Sequence, residues 1–229
     1  LSDGTYPVVA KLANGSCSST DTTTNELTIN TTAPAVPTVI AQTTNDTTPL
    51  IKGTATVPVG GTFTVTVNGV TYTAGDGNLT ITGSSWSLQM PSDKSLTDGT
   101  YEVVASVKDI AGNVSTDTTG NELIIDTVAP VVPTVVSLTT NDTTPDITVT
   151  ATVGSGETLT VTVNGVSYSA GDGKLTLTGT NWSLQIPNGN EINNGTYEVV
   201  ATVKDLAGNS STDTTTNELT INTTAPAVP

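Results

Sequence analysis

Histidine and arginine are absent from this 229-residue chain, cysteine and methionine occur once each, and aromatic residues make up only 3% of it. Without histidine there is no side chain poised to trade protons near neutral pH, and Cys17 has no base beside it, which excludes the common nucleophile-and-base arrangements. Glycine-rich phosphate loops, HExxH and CxxC are missing too, so an enzyme would need an acidic pair in a cleft, and no enzymatic activity is expected. A single cysteine rules out an internal disulfide framework and leaves stability to the cores or to metal. No apolar run is long enough to span a bilayer and no signal peptide is recognisable, so membrane insertion is not expected. Because residue 1 falls inside a strand motif, the sequence reads as a segment of something longer.

Positive charge is scarce as well: six lysines stand against 21 acidic residues, a formal net charge of −15. Nucleic acid is therefore excluded as a partner, since binding it depends on clustered Lys and Arg. Such a surface keeps long molecules soluble and collects divalent cations.

What the chain has in abundance is repetition. The stretch GTYEVVASVKDIAGN at 99–113 returns as GTYEVVATVKDLAGN at 195–209. Trp86 and Trp182 are 96 positions apart, and the same offset relates Asp46 to Asp142, Asn68 to Asn164, Asp76 to Asp172 and Asp109 to Asp205. Two full repeats follow, 35–130 and 131–226, the latter running on to 229 with the start of the next linker. Residues 1–34 match only the end of a repeat and are read as the last strands of a preceding one plus a linker. From Tyr6 to Asp21 this fragment is one residue shorter than its counterpart from Tyr101 to Asp117. Residues 20–37 recur letter for letter at 212–229, which suggests an array alternating two unit types.

Within a repeat, Tyr101, Val103, Ala105 and Val107 alternate with Glu102, Val104 and Ser106, the two-residue period of a strand with one face on a core. Further strands are expected at 37–42, 50–57, from Phe63 to Val67, 70–73 and 79–82, with Trp86, Leu88 and Met90 pointing inward from the next and a last strand at 122–126. Asn68-Gly69 is the strongest hairpin signal. Seven or eight short strands in roughly ninety residues, with one buried Trp and a Tyr opening the penultimate strand, predict an all-β fold: tandem immunoglobulin-like sandwiches of about 96 residues, end to end. The linker TVAPVVP at 127–133 is short and proline-bearing, hence a semi-rigid spacer, and the assembly is expected to be a rod.

In that topology a repeat's exit lies beside its own first turn, and the next repeat presents its last hairpin there. At the junction near residue 127 this gathers Asp46, Asp98 and Asp126 with Asp205 and Asn209; the matching positions elsewhere are Asp109, Asn113 and Asp142. Two carboxylates about 4 Å apart repel by about 4 kcal/mol at an effective dielectric near 20, so such a cluster spreads, protonates or recruits a cation. Ca2+, which takes about six to eight oxygens, suits it. The alternative is that these Asp and Asn residues bond their own turns. Asp98 becomes Asn194, and Asp126 becomes Asn30 and Asn222, which lowers the charge at the other junctions. Asp117, Asp213, Glu122 and Glu218 are read either as a second metal site or as a solvated face. Lys52 aligns with Thr148, which argues against a repeated Lys–Asn isopeptide bond.

The motifs DGTYEVVASVKDIAGN at 98–113, NDTTP at 45–49 and 141–145, and TAP and VAP at 32–34 and 128–130 resemble those of the tandem bacterial immunoglobulin-like repeats of giant secreted adhesins, biofilm-associated and RTX-type ice-binding adhesins among them. The resemblance covers the whole chain. It implies a spacer between a cell-surface anchor and a distal binding domain, an extracellular location on a bacterial surface, and calcium stiffening the domain junctions. The partners it implies are the neighbouring repeats and calcium. Two other readings are weighed beside it. In one the chain assembles into fibres, residues 1–34 being completed by strands of another molecule. In the other, threonines such as Thr64 and Thr66 form a carbohydrate- or ice-binding face.

Overall fold

The computed structural model describes residues 1–227. The chain divides into two compact units, residues 1–42 with 46–124, and residues 43–45 with 125 onward.

The repeat 35–130 is built from two four-stranded sheets and a three-stranded one. The first sheet runs Leu79–Thr82, Ser85–Gln89, Leu50–Thr54, Thr38–Val39; the second runs Val114–Thr116, Val103–Lys108, Thr62–Val67, Val70–Thr73. Gly99–Tyr101, Leu123–Ile125 and Gln42–Thr44 form the third. Alternation decides the faces: Phe63, Val65 and Val67 point into the core opposite Val107, Ala105 and Val103, with Thr64 and Thr66 outward. Trp86, Leu88 and Met90 are buried, as the sequence predicts. Asn68 and Gly69, both at positive φ, close the hairpin between Thr62–Val67 and Val70–Thr73.

Two expected strands are each two strands. The stretch 99–108 breaks at Glu102: Gly99–Tyr101 joins the three-stranded sheet, while Val103–Lys108 pairs with Thr62–Val67. Likewise 37–42 divides, Thr38–Val39 pairing with Leu50–Thr54 and Gln42–Thr44 lying in the other sheet. The strand expected at 50–57 ends at Thr54. At the corner before the Gly99–Tyr101 strand, the Tyr101 hydroxyl donates to the Thr97 carbonyl at 2.8 Å, the tyrosine corner of immunoglobulin-like sandwiches.

This unit also holds the leading fragment. Gly4–Tyr6 pairs antiparallel with Leu27–Ile29, Lys11–Asn14 with Cys17–Thr20, and Tyr6 bonds the Ser2 carbonyl at 2.8 Å. Glu26 and Asp21 accept the Val8 and Ala10 amides, just as Glu122 and Asp117 accept those of Val103 and Ala105. The missing residue therefore falls between Ala10 and Asp21, in the hairpin.

The second unit repeats the plan with Asp146–Thr150, Thr158–Val163, Asn181–Gln185 and Val199–Lys204 at its centre. Its core gathers Trp182, Leu184, Ile186, Leu159, Val161, Val199, Ala201 and Val203. Tyr197 bonds the Asn193 carbonyl at 3.0 Å.

Candidate functional site

The Asp-x-x-x-Asn hairpin at 109–113, and again at 205–209, is a loop closed on its own carboxylate. In the second unit Asp205 Oδ1 accepts the N–H groups of Gly208 (2.7 Å) and Asn209 (2.8 Å), and Oδ2 accepts the Asn209 side-chain amide at 2.8 Å. Gly208, at φ 102, supplies the left-handed turn that brings those amides round. Burial opposes ionisation of Asp205, but these donors outweigh it and hold the carboxyl below its ordinary value. For Asp109 the Asn113 side-chain amide is the largest influence, and the shift is again downward.

Each hairpin also grips the linker that precedes its repeat. Asn113 donates to the Asn30 carbonyl at 2.9 Å and Ser115 to the Pro34 carbonyl at 2.7 Å. In the second unit Asn209 donates to the Asp126 carbonyl at 2.7 Å and Ser211 to the Pro130 carbonyl at 2.6 Å. Ser115 and Ser211 are absent from the residues picked out by sequence; their signal was their 96-residue spacing in step with Pro34 and Pro130.

The two grips differ at one residue. Asn30 donates its side-chain amide to Asp109 Oδ2 at 2.9 Å while its Oδ1 accepts Thr32 N–H. Asp126 stands in that place in the second unit, its Oδ1 accepting Val128 N–H in the same way. As a carboxylate, Asp126 has no amide proton of the kind that Asn30 gives to Asp109.

The remaining predicted ligands are placed by their turns. Asp46 Oδ1 accepts the Thr48 amide at 2.8 Å, and Asp142 Oδ1 accepts that of Thr144 at 2.8 Å. Asp98 occupies the position of Asp3 and Asn194, which accept the backbone amides and hydroxyls of Thr31 and Thr223 respectively. Among the described residues no three acidic or cysteine side chains come together as a metal centre.

Asp117, Asp213, Glu122 and Glu218 are neither a solvated face nor a cluster. They cap strand edges: Asp117 and Asp213 accept the Ala105 and Ala201 amides at 2.7 Å, and Glu122 and Glu218 accept those of Val103 and Val199 at 3.1 and 2.9 Å. Both glutamates are buried, only 3% exposed. At Val103 and Val199 the chain has just left a Gly-Tyr strand for a different sheet, and the glutamate carboxylate accepts the amide at that crossing.

The model of the bacterial Ig-like domain matches residues 37–127 and 137–223. This chain belongs to the bacterial Ig-like domain family. No curated protein sequence matches it. Among solved structures, the bacterial Ig-like repeats are similar to a 1.5-MDa bacterial ice-binding adhesin studied for host cell surface retention, at 23% identity over 93% of this chain and 73% of that one (TM-score 0.40). They are also similar to murine CEACAM1b, at 15% identity over 81% and 100% (TM-score 0.42), and to titin domains A168–A170, at 14% over 91% and 73% (TM-score 0.45). None of the helices among the described residues is long and apolar enough to cross a membrane.

Proposed function

We propose that these bacterial Ig-like repeats are a non-catalytic spacer of a bacterial cell-surface adhesin, an extracellular semi-rigid rod that supports adhesion or biofilm formation. The observation that carries this reading is the doubled grip of hairpin on linker, Asn113 and Ser115 on Asn30 and Pro34, Asn209 and Ser211 on Asp126 and Pro130. A linker fixed to the repeat that follows loses the freedom of a flexible tether.

Calcium stiffens the junction that carries Asp126. Where Asn30 offers an amide to a carboxylate, Asp126 offers a second carboxylate, and an oxygen-seeking divalent cation restores the attraction the amide provides. Asp126 and Asp205 would hold it, with nearby carbonyls and water completing the shell. Asp46 and Asp142 each serve their own turn, and Asp109 and Asn113 are served by the Asn30 amide.

The test is thermal melting and small-angle scattering with calcium and with chelator. At calcium about a hundredfold above Kd the second repeat gains about 2.7 kcal/mol and its melting midpoint rises. Asp126→Asn restores the Asn30 arrangement, so the variant should melt as the calcium-loaded wild type does and ignore chelator. An Asp126→Asn protein that still responds to calcium removes these two residues from the site. Chelation without effect on melting or scattering removes the metal and leaves the spacer standing.

A further inference from the structure

Tyr72 and Tyr168 occupy the same place in the two repeats, each only 5% exposed, but their hydroxyls meet different loops. In the first repeat the chain after Met90 makes one tight turn, Ser92–Lys94, with the Lys94 N–H on the Pro91 carbonyl at 3.0 Å and the Lys94 ammonium 3.7 Å from Asp93. The Tyr72 hydroxyl has no partner among the described residues, and burial, then the carboxylates of Asp93 and Asp76, push its pKa up.

In the second repeat the loop turns in the same way, the Asn190 N–H lying on the Pro187 carbonyl at 3.1 Å. Here Gly189 stands in the place of Asp93, Asn190 in that of Lys94 and Glu191 in that of Ser95. Gly189, at φ 96, has open space where a side chain would begin. Glu191 folds back so that its Oε1 accepts the Gly189 N–H at 3.0 Å, and Asn190 donates its side-chain amide to the Tyr168 hydroxyl at 3.0 Å. Beside them lies a cavity of about 230 Å³, lined by the buried apolar side chains of Val163, Ile186 and Ile192 and by Tyr168, Asn190 and Glu191. The space is several times what one water molecule needs.

The contents of that lining select a ligand. Tyr168 accepts the Asn190 amide, and its own hydroxyl proton has no acceptor among the described residues. A buried donor left so is costly, and an oxygen entering the cavity would relieve it. A cation would suit Glu191 but has no lone pair for the Tyr168 proton. An anion has the lone pair but is repelled by Glu191 and by the net charge of −15. A neutral polyol offers hydroxyl oxygens to Tyr168, hydroxyl protons to Asn190 Oδ1 and the Glu191 carboxylate, and C–H surface to the apolar lining.

We propose that this cavity binds a neutral hydroxylated ligand of monosaccharide size, with Tyr168 donating to a ligand oxygen and Asn190 and Glu191 accepting its hydroxyl protons. It is a site of the second repeat alone, and it stands or falls independently of the spacer reading.

NMR amide shifts of the full chain, followed while glucose, galactose or N-acetylglucosamine is added, test it. At least one of these sugars should shift the Gly189, Asn190 and Ile192 amides saturably and leave those of Ser92–Lys94 in place. Tyr168→Phe, which keeps the ring, should weaken that binding about tenfold, whereas Tyr72→Phe should not alter it. Exchanging the loop for that of the first repeat, by Asn188→Ser, Gly189→Asp, Asn190→Lys and Glu191→Ser together, should abolish it. A methyl glycoside that binds as the free sugar does assigns the site to the end of a glycan; one that fails to bind assigns it to the free sugar. The absence of a saturable shift with all of these sugars overturns the site, as do shifts that survive both Tyr168→Phe and the loop exchange. If one of those variants does not fold, the other decides.

Discussion

Gly53 and Val149 occupy the same place in the two repeats, and the difference between them sets how each tryptophan is held. At Gly53 a Cβ would run into the Thr38 carbonyl and lie 2.6 Å from the Trp86 ring. The missing side chain lets the Trp86 indole N–H reach that carbonyl at 3.1 Å and leaves the ring tilted against Phe63, with centroids 5.7 Å apart. In the second repeat Val149 fills the space, Leu159 replaces the phenyl ring, and the Trp182 indole turns to the Ala151 carbonyl at 3.3 Å. Gly53→Ala should accordingly destabilise the first repeat by about 1–3 kcal/mol through overpacking, read as a shifted denaturant midpoint with an unchanged slope. An unaffected midpoint would mean that the indole can move aside freely. That both tryptophans point inward was legible from alternation; the dependence of one of them on a glycine was not, because it arises between strands about thirty residues apart.

At the level of the element, the two-residue period was a sound guide to faces and a poor one to partners. Tyr101 through Val107 alternate without interruption, yet the strand changes sheets at Glu102, since periodicity records which side is apolar and says nothing about which edge is bonded. The acidic residues at 117 and 122 were ambiguous for the same reason: their charge suggested solvent or metal, and only the position of the Val103 and Ala105 amides reveals strand caps. Asp117→Ala leaves the buried-edge amide of Ala105 without its acceptor and should cost about 1–3 kcal/mol, whereas Asp117→Asn keeps a carbonyl oxygen and most of the stability. Faster hydrogen exchange at Ala105 in the alanine variant alone is the expected signature. Equal exchange in all three proteins would show that the cap contributes nothing.

Across the whole molecule the turn carboxylates shape the response to acid. Asp76, Asp109, Asp172 and Asp205 all have carboxyls held below the ordinary value of 3.8: Asp76 chiefly by the Leu79 amide, Asp172 by the Lys174 amide, Asp109 by the Asn113 side chain, and Asp205 by Asn209 and the hairpin amides against the opposing effect of burial. A depressed carboxyl contributes its stability in full above the unfolded value and loses it as pH falls through the folded one. The melting temperature should therefore stay nearly level down to about pH 5 and drop steeply below about pH 4. A midpoint that starts to fall near pH 6 would assign acid sensitivity to other groups. The sequence by itself determined the repeat, the all-β class, the faces of the strands and the turns, because these follow from local spacing and from what Gly, Asn and Pro permit in a backbone. Tertiary structure alone decided that a strand switches sheets, that the residues at 30 and 126 are each held by the hairpin of the repeat that follows, and that a buried glutamate ties three strands. Each of those depends on atoms that stand about twenty or more positions apart in the chain and become neighbours only when the sandwich closes.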